Sequence, residues 1–327
     1  MKATKGTAAP SVPRGGESRW SAKSRALFYG SDRFQLVVLL VPAVAYMLVF
    51  QYGPMWGAQI AFRDFIPNKG FFGSPWVGLK HFNQFFSSYY FPITLRNTVY
   101  LSMYQLLANF PIPILLAIML HYVLNKKSKS TLQTIFYAPN FISVTVVASM
   151  MFIMLSPSSG VVNTILKLAG MDPVFFLAEE SWFAHIFTIS TVWQYSGVSA
   201  IIYLGVLTGI DPSLHESAMI DGAGKIKRII HIDFPALVPT AVVLLILSFG
   251  RIMSIGFERA YLLQTPLNLS AAEVIPTYVY KAGVLGAGAL PRYSFASAIG
   301  LFQSSVNLVL VVLVNTIARR FSEHSLY

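Results

Sequence analysis

The chain has 327 residues and a formal net charge of +11, yet 55% of it is hydrophobic, only 11% is charged, and the mean hydropathy is +0.59. That composition excludes a soluble globular domain and points to an integral membrane protein. With no cysteine in the sequence, disulfides and thiolate metal sites are excluded as well.

Residues 1–33 combine Thr, Ser, Gly, Pro and basic side chains with little to bury, which predicts a cytoplasmic tail that is disordered over its first part. Within it, Trp20–Phe34 mixes bulky and basic residues (Trp20, Lys23, Arg25, Leu27, Phe28, Arg33), the pattern of a helix lying along lipid headgroups. A spanning helix needs about 20 mostly apolar residues. Six stretches qualify: Phe34–Met55, Leu95–Leu124, Leu132–Leu155, Phe183–Leu207, Pro235–Gly256 and Phe295–Ala318. The expected fold is therefore an all-α, six-span bundle over 34–320, with a short tail over 321–327. The first stretch is too long for a signal-peptide core and lacks a small-residue cleavage site, so it is expected to stay in the mature protein.

The loop Trp56–Pro92 is dense in aromatics, among them Phe62, Phe65, Phe71, Trp76, Phe85 and Tyr90, and is expected to pack on the membrane surface. Simple interfacial anchoring and a sugar-stacking or partner-docking role both fit. The second stretch holds Gln105, Asn109, Pro111 and Pro113, so it should kink and line something. Ser130-Thr131 predicts the start of the third helix and Pro139-Asn140 an irregular turn within it. His81, His121, His185, His215, His231 and His324 lack the close spacing of a helical metal site, and no metal is expected.

The basic residues report orientation rather than nucleic-acid binding. One group precedes span one. Lys126, Lys127 and Lys129 lie between spans two and three, Lys225, Lys227 and Arg228 between spans four and five, and Arg319 and Arg320 after span six. All fall on one face, so the positive-inside rule makes both termini cytoplasmic.

The segment 209–235 is the most patterned part of the chain. Asp211 or Ser213 can cap a helix with Pro212 in its first turn, and Leu214–Ile230 reads as helical. Small residues dominate its first half, acidic Glu216 and Asp221 precede basic Lys225, Lys227 and Arg228, and Gly222 suits a turn with positive φ. Physical chemistry alone leaves an amphipathic linker and a docking helix equally open. The pattern Glu216-x-Ala218-x3-Gly222-x9-Ile232-x-Phe234-Pro235 resembles the cytoplasmic loop of permease subunits from binding-protein-dependent ABC importers. Ser217 and Phe234 depart from that family's usual Ala and Leu. Ser248–Gln264, Pro266-Leu-Asn268, Tyr278-Val-Tyr280 and the tail Ser322–Tyr327 look like the subgroup that imports polysaccharide fragments, of which an alginate-oligosaccharide permease is one member.

The resemblance implies a type I importer transmembrane fold in a bacterial inner membrane. Glu216, Ser217, Ala218, Asp221, Gly222, Ala223, Ile232 and Pro235 would then serve coupling to an ATPase. It further implies a second, non-identical permease, two ATP-binding subunits, an extracytoplasmic solute-binding protein and an oligosaccharide cargo. No cofactor is expected in this chain: Gly222-Ala-Gly-Lys225 is followed by Ile, no phosphate-binding loop exists, and ATP and Mg would sit on the partners.

Polar residues within apolar stretches mark candidate pathways. Arg251 suits an anionic or hydroxyl-rich substrate, or else an ion pair with Glu258 or a partner subunit. Trp193, Gln194 and Tyr195 combine stacking faces with hydrogen-bonding groups, which suits a sugar or an interior polar cluster equally, and Gln105 and Asn109 join them from span two. Arg251, Arg259, Lys281 and Arg292 would attract an acidic sugar; glycerol phosphate or a neutral sugar is the alternative cargo. A membrane-embedded glycan enzyme would need a carboxylate dyad that the spacing does not offer, and a passive scaffold would not need the patterned loop.

Overall fold

The computed structural model describes residues 32–286 and 290–321. The expected headgroup helix lies outside them up to residue 31, as does the tail Ser322–Tyr327. The chain divides into two compact bodies, the first reaching Ala58. In that first body, α1 (Asp32–Met47) contains Pro42 and passes through a wide-turn segment, Leu48–Tyr52, into the short helix Gly53–Met55. Tyr46 and Phe50, one turn apart, bring their rings to 4.9 Å.

The second body begins with the aromatic loop and α2 (Lys80–Phe86). α3 (Tyr90–Asn109) and α4 (Pro111–His121) form one run of 32 residues. Pro111 and Pro113 fall in the first turn of α4, where a missing N–H costs least, so the run continues across them. α5 (Lys126–Tyr137) starts earlier than Ser130-Thr131 predicts, because the Asn125 side chain accepts from the N–H groups of Lys127 and Ser128 at 2.9 and 3.3 Å. Pro139 sits in a tight 3₁₀ turn, Ala138–Phe141, and the chain bends 97° there into α6 (Val144–Met154). α7 (Val161–Leu168) and the long α8 (Glu180–Thr208) follow, then a 69° bend into α9 (Pro212–Ile220). A further apolar run starts at Lys225, well before the expected Pro235, and continues through Ile229–Asp233 into α10 (Phe234–Phe249). α11 (Phe257–Leu263), α12 (Ile275–Tyr280) and α13 (Tyr293–Phe321) complete the described chain. Among the described residues, four helical runs are long and apolar enough to cross a membrane, and up to six if each bent pair counts as one. The fold is all-helical: the β pairing found among the described residues is a single bridge, Arg63 to Trp76.

α8 is the central element. Its C-terminal half packs Ala200, Tyr203, Leu204 and Leu207 against Ile114, Ala117 and Leu120 of α4 and Leu237 of α10. Its N-terminal half places Phe183, Ala184, Ile186 and Phe187 against Ile255, Ala260, Leu263 and Val274. At Gly197 the helix lies so close to α5 that an added β-carbon would collide with the Phe136 backbone carbonyl.

The aromatic loop does not simply coat the surface as expected. Phe85 is buried and anchors a third core with Ile252, Met253, Ile275, Phe295 and Ile299. Its ring meets those of Phe91 at 5.0 Å and Phe302 at 5.8 Å, and edge-to-face geometry favours both contacts. Phe72 and Tyr89 remain exposed. The loop is pinned by Asp64, bonded to Lys80 at 2.6 Å and to His81 at 2.9 Å, and the Lys80 hydrogen bond holds the Asp64 carboxyl below its ordinary pKa.

Candidate functional site

The residues Ser248–Gly256 do not continue the helix that the apolar pattern suggests. α10 stops at Phe249, the chain turns through a short 3₁₀ segment, Ile252–Ser254, and helical structure resumes only at Phe257. Backbone groups freed by such a break need partners. The Ser102 hydroxyl donates to the Ile252 carbonyl, Asn307 Oδ1 accepts from the Met253 N–H at 3.0 Å, and Ser254 Oγ accepts from Gln303 and Asn307 at 3.0 and 2.9 Å. Arg251 consequently lies in an interruption and is exposed, rather than sitting within a spanning helix as expected.

The break opens a cavity of about 680 Å³. Gln105 and Asn109 reach it from α3, Thr191 and Tyr195 from α8, Arg251 from the interrupted segment, and Glu258 and Arg259 from α11. Among the described residues Arg251 forms no ion pair, so the expected partnership with Glu258 is not made; Glu258 instead accepts from the Thr145 hydroxyl at 3.2 Å. Asn109 Oδ1 is buried without a hydrogen-bond partner.

The run Trp193-Gln194-Tyr195 does not act as a unit. Successive helical residues point about 100° apart, so Tyr195 faces the cavity while Trp193 turns outward with 42% of its surface exposed. Gln194 is buried and committed: its Nε2 donates to the Ile142 carbonyl at 2.6 Å, and its Oε1 accepts from Arg259. Arg259, itself buried, lies 5.7 Å from the centre of the Tyr195 ring. Lys281 and Arg292 are engaged elsewhere, Lys281 with Glu273 at 2.6 Å and Arg292 over the Phe295 ring at 4.2 Å. Sequence reasoning missed Thr191 as a cavity-lining group; it named Arg259 only among cations that would attract an acidic sugar and Glu258 only as a partner for Arg251. Gly250 and Gly256, which flank the break, are the signal that could have found it.

The patterned segment 209–235 holds a shorter helix than Leu214–Ile230. Asp211 caps α9 by accepting from the Ser213 N–H at 2.9 Å, a bond that lowers the Asp211 pKa, and Pro212 opens the helix. Termination comes from Gly222 at φ 77°, with Gly222 N–H bonded to Met219 O at 3.0 Å and Ala223 N–H to Ala218 O at 2.8 Å. This is the double-bonded left-handed helix end that favours glycine. Lys225–Arg228 therefore belongs to the next helical run, not to α9. Ile232 is half-buried and Pro235 exposed near the start of α10. Glu216, Ser217 and Asp221 are exposed, with large apolar residues beside them: Ile220 is 86% and Ile226 73% exposed. A β-branched residue at positive φ is a steric outlier. Gly222→Val is therefore expected to reduce assembled protein far more than Ser217→Ala, which removes only a hydroxyl bonded to Ser213 O at 2.9 Å. Fluorescence-detected size exclusion of the two variants measures the order, and equal yields would sink the turn argument.

Residues 109–323 match the family described as "Binding-protein-dependent transport system inner membrane component". Among curated proteins, the chain is 40% identical over 292 residues to the polygalacturonan/rhamnogalacturonan transport system permease protein YteP of Bacillus subtilis, covering 89% of this chain and 90% of that one. Among solved structures, it matches a chain from a bacterial ABC transporter involved in the import of the acidic polysaccharide alginate. That match has a TM-score of 0.81 and 39% identity, over 94% of this chain and all of the other. A second structure, of a bacterial alginate ABC transporter in complex with an alginate pentasaccharide-bound periplasmic protein, gives a TM-score of 0.81 and 38% identity over 95% of this chain and all of the other. The all-helical architecture, the broken apolar runs and these matches agree: the chain is a multi-pass membrane protein that belongs to the binding-protein-dependent transport system inner membrane component family.

Proposed function

We infer that this chain is the permease subunit of an ATP-driven importer that carries oligosaccharides across a bacterial inner membrane. The observation that carries this reading is the likeness to the alginate importer's chain along nearly the whole length. The protein has six spans with both termini cytoplasmic, counting each bent pair as one span, and the basic clusters support that orientation. Its domains are the tail 1–33, the permease body 34–320 with the segment 209–235, and the tail 321–327. It works with a second, non-identical permease, two ATP-binding subunits that hold ATP and Mg, and an extracytoplasmic binding protein; the alginate neighbour's bound periplasmic protein supports that last partner.

The cavity beneath the break is the passage, with Gln105, Asn109, Tyr195 and Arg251 facing the cargo, and Arg259 and Glu258 completing its wall. Tyr195 offers a ring face, the amides offer donors and acceptors, and the unpaired Arg251 offers a fork for a carboxylate. The cargo is therefore an acidic oligosaccharide. Glu216, Ser217, Ala218, Asp221, Gly222 and Ala223 transmit ATP-driven motion, since exposed Ile220 and Ile226 beside exposed acids suit a covering partner.

Uptake assays in reconstituted vesicles test the cargo. Arg251→Ala is expected to raise the concentration of oligouronate giving half-maximal uptake about tenfold, the equivalent of about 1.4 kcal/mol. Neutral oligosaccharide of equal length should be unaffected. Equal loss for both cargoes, or for neither, would overturn the acidic assignment.

A further inference from the structure

The histidines, scattered along the sequence and expected to bind nothing, do not all stay apart. His121 ends α4, His215 lies on α9, and Asp233 closes the wide-turn segment leading into α10. One potential ligand atom from each falls within 4.8 Å of the others. Asp233 is fully buried at 0% exposure; its Oδ2 accepts from the Tyr122 hydroxyl at 2.7 Å, and its Oδ1 faces His215 Nε2 at 3.3 Å. His121 Nδ1, His215 Nε2 and Asp233 Oδ1 are all buried, and none has a hydrogen-bond partner. Three buried polar atoms without hydrogen bonds among the described residues, two of them 3.3 Å apart, in residues whose potential ligand atoms lie within 4.8 Å of one another, call for a shared occupant, because each is costly to withdraw from water.

We propose that His121, His215 and Asp233 form a transition-metal site of the Zn²⁺ class, which ties α9 to the roots of the α3–α4 and α10 runs. Two imidazole nitrogens and one carboxylate oxygen are the donors that Zn²⁺ takes when three protein ligands leave a fourth position to water. Hard cations such as Mg²⁺ prefer an all-oxygen shell, which this cluster does not offer. Zn–N and Zn–O bonds of about 2.0–2.2 Å require the donors to draw in from their present separation. Rotation of the two imidazoles supplies that movement, because neither buried nitrogen is held by a hydrogen bond. Tyr122 acts one step removed: by occupying Oδ2 it orients the carboxylate and leaves Oδ1 for the metal. Asp233 also ends a wide helical turn, a local geometry that recurs at functional sites because it re-aims a side chain out of the regular ladder. The rival occupant is a proton, shared between His215 and Asp233 as a buried ion pair. The proposal does not depend on α9 being the segment that meets an ATPase.

The test uses the full chain purified with its partner subunits, free of any histidine tag, stripped with chelator and titrated with Co²⁺, which gives visible absorption bands in tetrahedral N/O sites. The expected result is one saturable Co²⁺ per chain, displaced by Zn²⁺, and lost in His215→Ala and Asp233→Asn. Tyr122→Phe should weaken binding about 10- to 100-fold, while His231→Ala, whose side chain is exposed, should bind as the unaltered protein does. His215→Ala carries the test if Asp233→Asn fails to assemble. Equal Co²⁺ binding by His215→Ala and the unaltered chain, or no absorption in either, overturns the metal site and leaves the cluster as a proton-bridged pair.

Discussion

Glu216→Lys is expected to cut ATP-driven uptake at least about tenfold while leaving the amount of chain in the membrane unchanged. Glu216 is exposed on α9 and has no hydrogen bond or ion pair among the described residues, so nothing within the chain itself depends on its charge. Whatever it contributes must come from a partner, and opposite charges across an interface set register and suppress wrong encounters. Reversing one sign places like charges together, at a cost of several kcal/mol. The measurement is paired: uptake into vesicles and ATP hydrolysis by the same preparation. Hydrolysis that persists while uptake falls would mean a coupling defect, whereas uptake at the unaltered rate would remove Glu216 from the coupling surface.

Gln194→Leu, a substitution of similar size in α8, is expected to destabilise the chain strongly. The amide satisfies the part-buried Ile142 carbonyl on one side and the buried Arg259 guanidinium on the other. Arg259 already has one buried nitrogen, Nη1, without a partner, so the substitution would strand a second. Losing a hydrogen bond to a charged group and leaving that group unsatisfied is worth about 3 kcal/mol or more. Gln194→Glu keeps an acceptor for Arg259 and adds an opposite charge, but it sets an acceptor-only carboxylate oxygen against the Ile142 carbonyl, and is expected to recover only part of the stability. Thermal unfolding of the detergent-solubilised protein reads both variants; a Leu variant as stable as the unaltered chain would show that the amide is not structural. That outcome would also restore Gln194 as a candidate for direct contact with cargo.

The apolar runs were legible because hydrocarbon solvent imposes one long-range rule, and α3–α4, α8 and α13 overlap the stretches that rule selects. Their ends were less so. The second stretch is expected to begin at Leu95, but helix α3 begins at Tyr90, and its polar Asn97 is buried, donating to the carbonyls of Ser270 and Glu273 at 2.7 and 3.0 Å. Hydropathy averages over such partners and cannot see them. The same averaging merged Ser248–Gly256 into a continuous span, although Gly250 and Gly256 marked the interruption. At the turn after α9 the opposite holds: Gly222 is required by its own backbone angle, a local property that a sequence states directly. Tyr195 and Gln194 diverge because a helix rotates between neighbours. His121, His215 and Asp233 converge because three elements meet, and no spacing within one element records such a meeting.

The contact at Gly197 has a genetic consequence. Every other amino acid carries a β-carbon, and each would strike the same backbone carbonyl of Phe136, which has no side-chain freedom with which to yield. The position thus has no conservative replacement: alanine and serine fail for the same reason as valine or arginine, and chemical similarity gives no protection. In a saturation library selected for growth on the transported sugar, codon 197 should tolerate synonymous changes alone.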